Sequence, residues 1–175
     1  MEDVTKDKRN IYLVTDTHFG HEKLSDVFHV RPVGFTDTIL KNLKLYVHPY
    51  DTVIHLGDFC IRRDAEWMEQ FMQAVSGANT ILIRGNHDKK SDGWYMEHGF
   101  GFVCSALELR MQGKVVRLAH KPEEKVFGVD FQIHGHTHGK ARRDDEYCSF
   151  YDPSYHKEFA LENTNFTPRL LQSFF

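Results

Sequence analysis

In the stretch Phe131-Gln132-Ile133-His134-Gly135-His136-Thr137-His138, two histidines stand two residues apart at its end. In extended backbone that spacing points both rings to one side. The apolar run ahead of them reads as a strand, and Gly135 lets the chain turn where the strand stops. Neighbouring imidazoles suit a metal ion; they serve a hydrogen-bonded surface pair equally well. What decides between the two is whether other runs end in the same manner, and four do. Ile11-Tyr12-Leu13-Val14 leads to Asp16 and His18, and Thr52-Val53-Ile54-His55-Leu56 leads to Asp58. Thr80-Ile81-Leu82-Ile83 leads to Asn86 and His87, and the run from Val115 to Ala119 ends at His120. In open α/β sheets, sites form outside the carboxyl ends of strands. Five such ends are hard to assign to surface histidines.

The elements that must carry these residues are legible from periodicity. Helical spacing runs from Phe35 to Val47, with Thr36 as the expected N-cap and Pro49 closing the segment. A second helix is expected from an Asp64 cap through Ala65, Trp67, Met68, Phe71, Met72 and Val75, stopped by Gly77. Residues 91–98 read as a short third helix. Beyond Gly99 the pattern turns to strands: 102–104, 106–111 and 115–119, with a hairpin turn at Gln112-Gly113. Residues 139–155 read as a long loop, Phe159-Ala160-Leu161 as another strand, and Thr167-Pro168 as the start of a C-terminal helical turn. An alternating β-α first half and a strand-rich second half predict an α/β layered fold around one core. No repeat or linker breaks the chain, so residues 1–175 are expected to form a single domain.

Composition narrows the setting. Hydrophobic residues make up 41% and charged residues 27%, the balance of a globular chain that can bury a core. A formal charge of −3 argues against a broad nucleic-acid-binding surface, though not against a local basic patch. No apolar run is long enough to span a membrane, and residues 1–10 are charged, without the apolar stretch of a signal peptide. Cys60, Cys104 and Cys148 are widely spaced and form no C-x-x-C, so neither a disulfide framework nor a thiolate zinc site is expected. These features together lead to the expectation of a cytoplasmic protein.

The five blocks, taken in order, resemble the calcineurin-like metallophosphoesterase superfamily. Its pattern is D-x-H, G-D, G-N-H-D, H and G-H-x-H. In this chain these are Asp16-Thr17-His18, Gly57-Asp58, Gly85-Asn86-His87-Asp88, His120 and Gly135-His136-Thr137-His138. Asp16-Thr17-His18-Phe19-Gly20-His21 and the tail from Glu162 to Pro168 are also similar to a compact bacterial and phage subgroup. The resemblance implies a four-layer αββα sandwich, two mixed β-sheets flanked by helices. It implies that Asp16, His18 and His138 hold one metal, that Asn86, His120 and His136 hold a second, and that Asp58 bridges them. His87 would face the substrate.

Elementary chemistry agrees with that division. Asn86 and His87 are adjacent, so in extended geometry they point to opposite sides, whereas Asp16 and His18 can point together. Carboxylate, imidazole and amide donors without thiolates suit divalent first-row ions such as manganese, iron, nickel or zinc, and two such ions, manganese foremost, are the expected cofactors. Two such ions against the carboxylates Asp16 and Asp58 leave about two positive charges to attract an anion and acidify a bridging water. A pair of ions roughly 3.5–4 Å apart suits in-line attack of that metal-bound hydroxide on phosphorus, with His87 assisting the leaving group. Asp88 either orients His87 or caps the segment after it.

The expected activity is therefore metal-dependent phosphoester hydrolysis. Diesters are favoured because only residues 139–175 follow the motifs, too few for a large cap over the site. A phosphomonoesterase is the alternative, and a non-catalytic scaffold of the same fold is a second. The expected partner is a small phosphorylated substrate, such as a nucleotide or a nucleic-acid end. Basic residues follow several blocks: Arg62 and Arg63, Lys89 and Lys90, Lys121, then Lys140, Arg142 and Arg143. They form either a positive rim or ordinary solvated loops. His21 either contacts substrate or holds its loop. His55 and His134 support ligands or sit as satisfied core histidines. Arg84 meets a phosphate or is structural. Trp67 and Phe71 read as core, and Trp94 and Tyr95 as packing or as a stacking platform.

Overall fold

The computed structural model describes residues 9–139, 146–147 and 149–175. Two mixed β-sheets pack on one hydrophobic core, with α-helices at the flank of the first. The first sheet has the order β4-β3-β2-β1-β9, built from β1 (Ile11–Val14), β2 (Thr52–His55), β3 (Asn79–Ile83), β4 (Phe102–Cys104) and β9 (Arg169–Leu170). Strands β1 to β4 are parallel and β9 is antiparallel to β1. The second sheet has the order β5-β6-β7-β8, from β5 (Ala106–Met111), β6 (Lys114–Ala119), β7 (Phe131–His134) and β8 (His156–Glu158). The hairpin β5-β6 is antiparallel, while β6, β7 and β8 run parallel. This is the expected α/β sandwich of two mixed sheets.

Crossovers make the parallel half. Helix α1 (Lys23–Asp26), absent from the sequence reading, and α2 (Phe35–Tyr46) join β1 to β2. Helices α3 (Asp64–Ala74) and α4 (Asp92–Glu97) join β2 to β3 and β3 to β4. Among the described residues every α-helix precedes β5, and later turns are 3-10. In α2 the residues Phe35, Ile39 and Leu43, four apart, are buried along one stripe. Phe19, Phe59, Phe71 and Phe100 meet edge-on or tilted beneath the β1 and β2 loops, with centroids 5.3 to 6.5 Å apart.

Several local expectations are corrected. Thr36 does not cap α2; Gly34, left-handed at φ 77°, does, because the chain turns sharply after Pro32. Asp64 is the first residue of α3 rather than its cap. Arg63 at φ 59° occupies the cap, and its carbonyl accepts from the Glu66 and Trp67 amides. The strand expected at Phe159-Ala160-Leu161 lies three residues earlier, as β8, because Leu161 already begins a 3-10 turn, Leu161–Thr164. The helix expected from Thr167-Pro168 is instead β9, which covers the open edge of β1 before a 3-10 turn, Leu171–Phe174. The expected loop 139–155 falls partly outside the described residues, as does Cys148; Cys60 and Cys104 are free. No helix among the described residues is long and apolar enough to cross a membrane.

Candidate metal centre

The carboxyl ends of β1, β2, β3, β6 and β7 converge. Asp16 and His18 leave β1, Asp58 leaves β2, Asn86 and His87 leave β3, His120 follows β6, and His136 and His138 follow β7. Two donor groups result. Asp16, His18 and His138 form one and Asp58, His120 and His136 the other, with the ligand atoms of each group within 4.8 Å of one another. Asn86 joins the second group, its Oδ1 3.1 Å from His120 Nε2, and His136 Nδ1 also lies 3.1 Å from that nitrogen. Asp58 Oδ2 stands between the groups, 3.8 Å from His18 Nε2 and 3.4 Å from His120 Nε2.

The local backbone is built for this convergence. Asp16, His18, Asp58, His136 and His138 all have φ between 45° and 69°. Such left-handed conformations are uncommon outside glycine and cost on the order of 1 kcal/mol each. Two glycines make room for the carboxylates. A Cβ on Gly85 would sit 2.2 Å from Asp58 Oδ1, and one on Gly135 would sit 2.3 Å from Asp16 Oδ2. Asp16 Oδ2 is held by the Thr15 hydroxyl at 2.5 Å and the His136 amide at 3.0 Å, which leaves Oδ1 buried without a hydrogen-bond partner.

The imidazoles are oriented from behind. His120 Nδ1 donates to the Leu56 carbonyl at 2.8 Å, so its Nε2 faces the second group. His138 Nδ1 meets Glu162 Oε1 at 2.9 Å, so its Nε2 faces Asp16. Glu162 in turn accepts from Arg31 Nη2 at 2.7 Å, and the buried Arg31 also donates to the Asp16 and Thr17 carbonyls at 2.7 and 3.1 Å. Arg31 and Glu162 had no assigned role in the sequence reading. They come from loops without periodicity, and Glu162 entered only within the tail that resembles the compact subgroup.

Charge within the site is unbalanced in a way a cation relieves. Burial pushes the Asp16 carboxyl up, against the pull of His120 and His138. Burial would raise Asp58 as well, yet its contact with His120 and the nearby His18 hold it well below the usual carboxylate range. Burial drives His18 well down and takes His136 to about 4, so both rings are neutral lone-pair donors at pH 7. Burial opposes charge on His120 and His138 too, but Asp58 and Glu162 respectively outweigh it and raise them. Asp16, His18 and His138, with the unpartnered Asp16 Oδ1 among their atoms, fit one divalent ion, and Asp58, His120, His136 and Asn86 fit another. The donor set is nitrogen and oxygen throughout, as borderline first-row ions prefer.

The remaining sequence candidates take definite places. His87 is half-exposed, its Nε2 3.9 Å from Asp58 Oδ2, while its backbone amide donates to Asp58 Oδ1 at 2.8 Å. Asp88 neither orients His87 nor caps the next helix. Its carboxylate accepts from the amides of Asp58, Phe59 and Gly85 at 2.9, 2.9 and 2.7 Å and staples two ligand loops together. Arg84 supports that staple through the Asp88 carbonyl at 2.6 Å, and so is structural. His55 bridges ligand loops inside the core: the Gly57 amide donates to its Nδ1, and its Nε2 donates to the Thr17 hydroxyl, which donates to the Phe59 carbonyl. His134 is buried on β7, its Nδ1 against the Gly135 carbonyl. His21 packs edge-on to His18 at 5.9 Å and its amide closes the loop on the His18 carbonyl.

Of the basic residues that follow the blocks, Arg62 and Lys89 are exposed and three others are paired. Arg63 pairs with Glu66, Lys90 with Asp64 and Lys121 with Glu146, while Lys140, Arg142 and Arg143 lie outside those residues. Trp94 stacks on His98 at 3.9 Å and packs against the core, and Tyr95 is buried, so both are packing residues. A neighbour that the sequence did not flag is Tyr147, buried and edge-on to His136 at 5.8 Å.

Comparison with known proteins agrees with this geometry. The family model described as calcineurin-like phosphoesterase matches residues 9–121. The chain is 30% identical over 169 residues to an uncharacterized protein of Methanocaldococcus jannaschii, MJ1445, covering 91% of this chain and 86% of that one. Among solved structures, a protein of unknown function from Aquifex aeolicus, AQ665, superposes with a TM-score of 0.76 at 25% identity, covering 95% of this chain and 97% of that one. An archaeal phosphodiesterase shares the fold, with a TM-score of 0.52 at 19% identity over 86% of this chain and 83% of that one. The family is metal-dependent, and the match spans the blocks from Asp16 to His120 that build most of both donor groups. This chain therefore belongs to the calcineurin-like phosphoesterase family.

Proposed function

We propose that this protein is a dinuclear metal-dependent phosphodiesterase. The observation that carries the reading is the position of Asp58: one carboxylate oxygen faces His18 of one donor group and His120 of the other, so one residue is shared by two sites. Two bound divalent ions would supply a water of lowered pKa and a clamp for the phosphoryl oxygens. The chain does the rest. Asp16, His18 and His138 would hold one ion, and Asn86, His120 and His136 the other. The His87 amide fixes Asp58 Oδ1, so that Asp58 Oδ2 stays turned to both. The half-exposed His87 ring sits at the mouth, where it can hydrogen-bond a substrate oxygen and deliver a proton to the leaving alkoxide.

Preference for a diester is supported by the openness of that mouth, where Asn86 and His87 are both exposed, and by the phosphodiesterase activity named for the archaeal structure of the same fold. The substrate class is a small phosphate ester, with nucleotides and nucleic-acid ends as the natural candidates. Manganese is the favoured ion. The test is hydrolysis of bis(4-nitrophenyl) phosphate and 4-nitrophenyl phosphate by protein loaded with Mn²⁺. Metal-dependent turnover with the diester faster is expected. A faster monoester would shift the assignment to a phosphomonoesterase, and no turnover of either by protein carrying two ions would make the chain a scaffold.

A further inference from the structure

Beside His138 the surface opens into a cleft of about 660 Å³ lined by Leu24, Phe28, Val30, Arg31, His138 and Glu162. Its outer wall is the turn that follows α1. The backbone of that turn is tied down, with the Phe28 amide on the Lys23 carbonyl and the Val30 and Arg31 amides on the Leu24 carbonyl. The wall is thus formed in advance, yet its side chains are left in water. Phe28 is 57% and Val30 53% exposed, and Val27 and Val33 beside them are exposed as well. Exposed apolar residues scattered singly mean little, but four within seven positions, next to a catalytic centre, mark a binding surface.

The charged members of the lining are already committed. Arg31 is buried and spends its guanidinium on Glu162 and on the Asp16 and Thr17 carbonyls. Glu162 spends its Oε1 on Arg31 and His138, and its Oε2 is buried without a hydrogen-bond partner. Among the described residues the cleft therefore offers no free cation to a second phosphate, and its carboxylate disfavours one. What remains is an apolar slot about the size of small-molecule pockets. It shares the His138 wall with the donor groups, and a row of rings leads into it: His18 to His21 at 5.9 Å, then His21 to Phe28 at 6.4 Å.

We propose that this cleft binds an aromatic ester group of the substrate, an aryl ring or nucleobase-bearing alcohol seated against Phe28 and Val30, while the phosphoryl group lies at the donor groups. The assignment rests on the phosphoesterase reading above and makes Phe28 and Val30 specificity-determining residues. They select a phosphate ester that carries a flat apolar group over one that carries a small alkyl or a second phosphate.

The test is calorimetric binding of phenylphosphonate and methylphosphonate, neither of which can be hydrolysed as an ester, to Mn²⁺-loaded protein, to Phe28→Ala and to Val30→Ser. Partial burial of a phenyl ring predicts that the wild-type protein binds phenylphosphonate on the order of tenfold more tightly. That ratio should fall to within about threefold in either variant. Both side chains are more than half exposed, so neither variant is expected to unfold; a circular dichroism melt checks this. Equal affinity of wild-type protein for the two phosphonates would overturn the cleft assignment and leave the phosphoesterase reading standing. So would an aromatic preference that survives both substitutions. Failure of both phosphonates to bind protein carrying two ions would overturn the phosphoesterase reading and this proposal with it.

Discussion

Glu162 Oε1 lies 2.9 Å from His138 Nδ1 and so fixes which nitrogen of a proposed metal ligand turns to the site. Burial would raise the Glu162 carboxyl, yet His138 and Arg31 together bring it down to about 2. One oxygen thus satisfies a buried guanidinium and aims an imidazole. Partners of this kind typically govern metal affinity by about 10–100-fold.

Substitution of Glu162 should accordingly act on one ion and not on both. Glu162→Ala frees the His138 ring and leaves Arg31 buried with two carbonyls and no carboxylate. Affinity for the ion of the Asp16 group should fall by about 10–100-fold, with the Asp58–His120–His136 group little changed. Stability should fall by about 3 kcal/mol for the broken buried pair. Glu162→Gln keeps an acceptor and should be milder on both counts. Stepwise Mn²⁺ titration read by calorimetry, with a urea melt of the metal-free protein, separates the two effects. Equal loss at both sites would show that Glu162 supports the loops rather than His138.

The two glycines at the carboxylates make a paired prediction. Gly85→Ala places a methyl 2.2 Å from Asp58 Oδ1 and 2.4 Å from the Asp58 amide, and Gly135→Ala places one 2.0 Å from the Thr15 hydroxyl and 2.3 Å from Asp16 Oδ2. Neither contact can be relieved by a flexible side-chain tip alone. Overpacking of this kind costs about 1–3 kcal/mol. The consequence for metal should differ, because in the proposed centre Asp58 serves both ions and Asp16 only one. Gly85→Ala is expected to weaken both ions, and Gly135→Ala mainly the one at Asp16. Elemental analysis after equilibrium dialysis against micromolar Mn²⁺ distinguishes these outcomes.

Asp16, Asp58 and His120 could be read in advance because each follows an apolar run that must be a strand, and strand ends in parallel sheets face one direction. Periodicity locates such a run without knowledge of its neighbours. Arg31 and Glu162 had no such signal. They meet across 131 residues of sequence from a turn and a 3-10 segment, where no repeat marks which side chain points inward. Asp88 failed for a related reason. Both readings of it were local, whereas its carboxylate reaches back to the Asp58 and Phe59 amides, 30 and 29 residues away. The shift of β8 and the pairing of β9 depend on which sheet edge needs cover, a tertiary fact that no window of sequence holds.

His87 and Asp58 should separate binding from chemistry. Asp58→Ala removes the carboxylate proposed to serve both ions and should abolish stable occupancy at both groups. His87→Ala removes a half-exposed ring that the second donor group does not need, so two ions should remain while kcat falls by about 10²–10⁴-fold. Metal content and steady-state rates on the same samples give the answer. A His87→Ala protein that has lost an ion would assign His87 to the ligand set instead.

The core histidine His55 makes the fold acid-sensitive in a predictable direction. It is fully buried, and burial lowers it to about 3, with His120 adding to the shift. In the unfolded chain the same ring titrates near about 6.5. Between those values the unfolded state binds a proton that the folded state refuses. The stabilisation from a neutral His55 is therefore complete above the unfolded pKa and is lost as pH falls toward the folded one, by up to about 1.4 kcal/mol per pH unit. In metal-free protein His120 and His138 are shifted upward and act in the opposite sense, so the His55 contribution must be read at that residue. Nitrogen chemical shifts should show His55 neutral at pH 5 with its proton on Nε2, as its bonds to Gly57 and Thr17 require. The urea midpoint of metal-free His55→Gln should fall less steeply than that of the wild type between pH 6.5 and 4.5, because the group that refuses the proton is gone. A His55 ring that titrates near 6.5 in the folded protein would mean that the loop carrying Asp58 opens to water, and the rigid link from His55 through Thr17 to Phe59 would have to be abandoned.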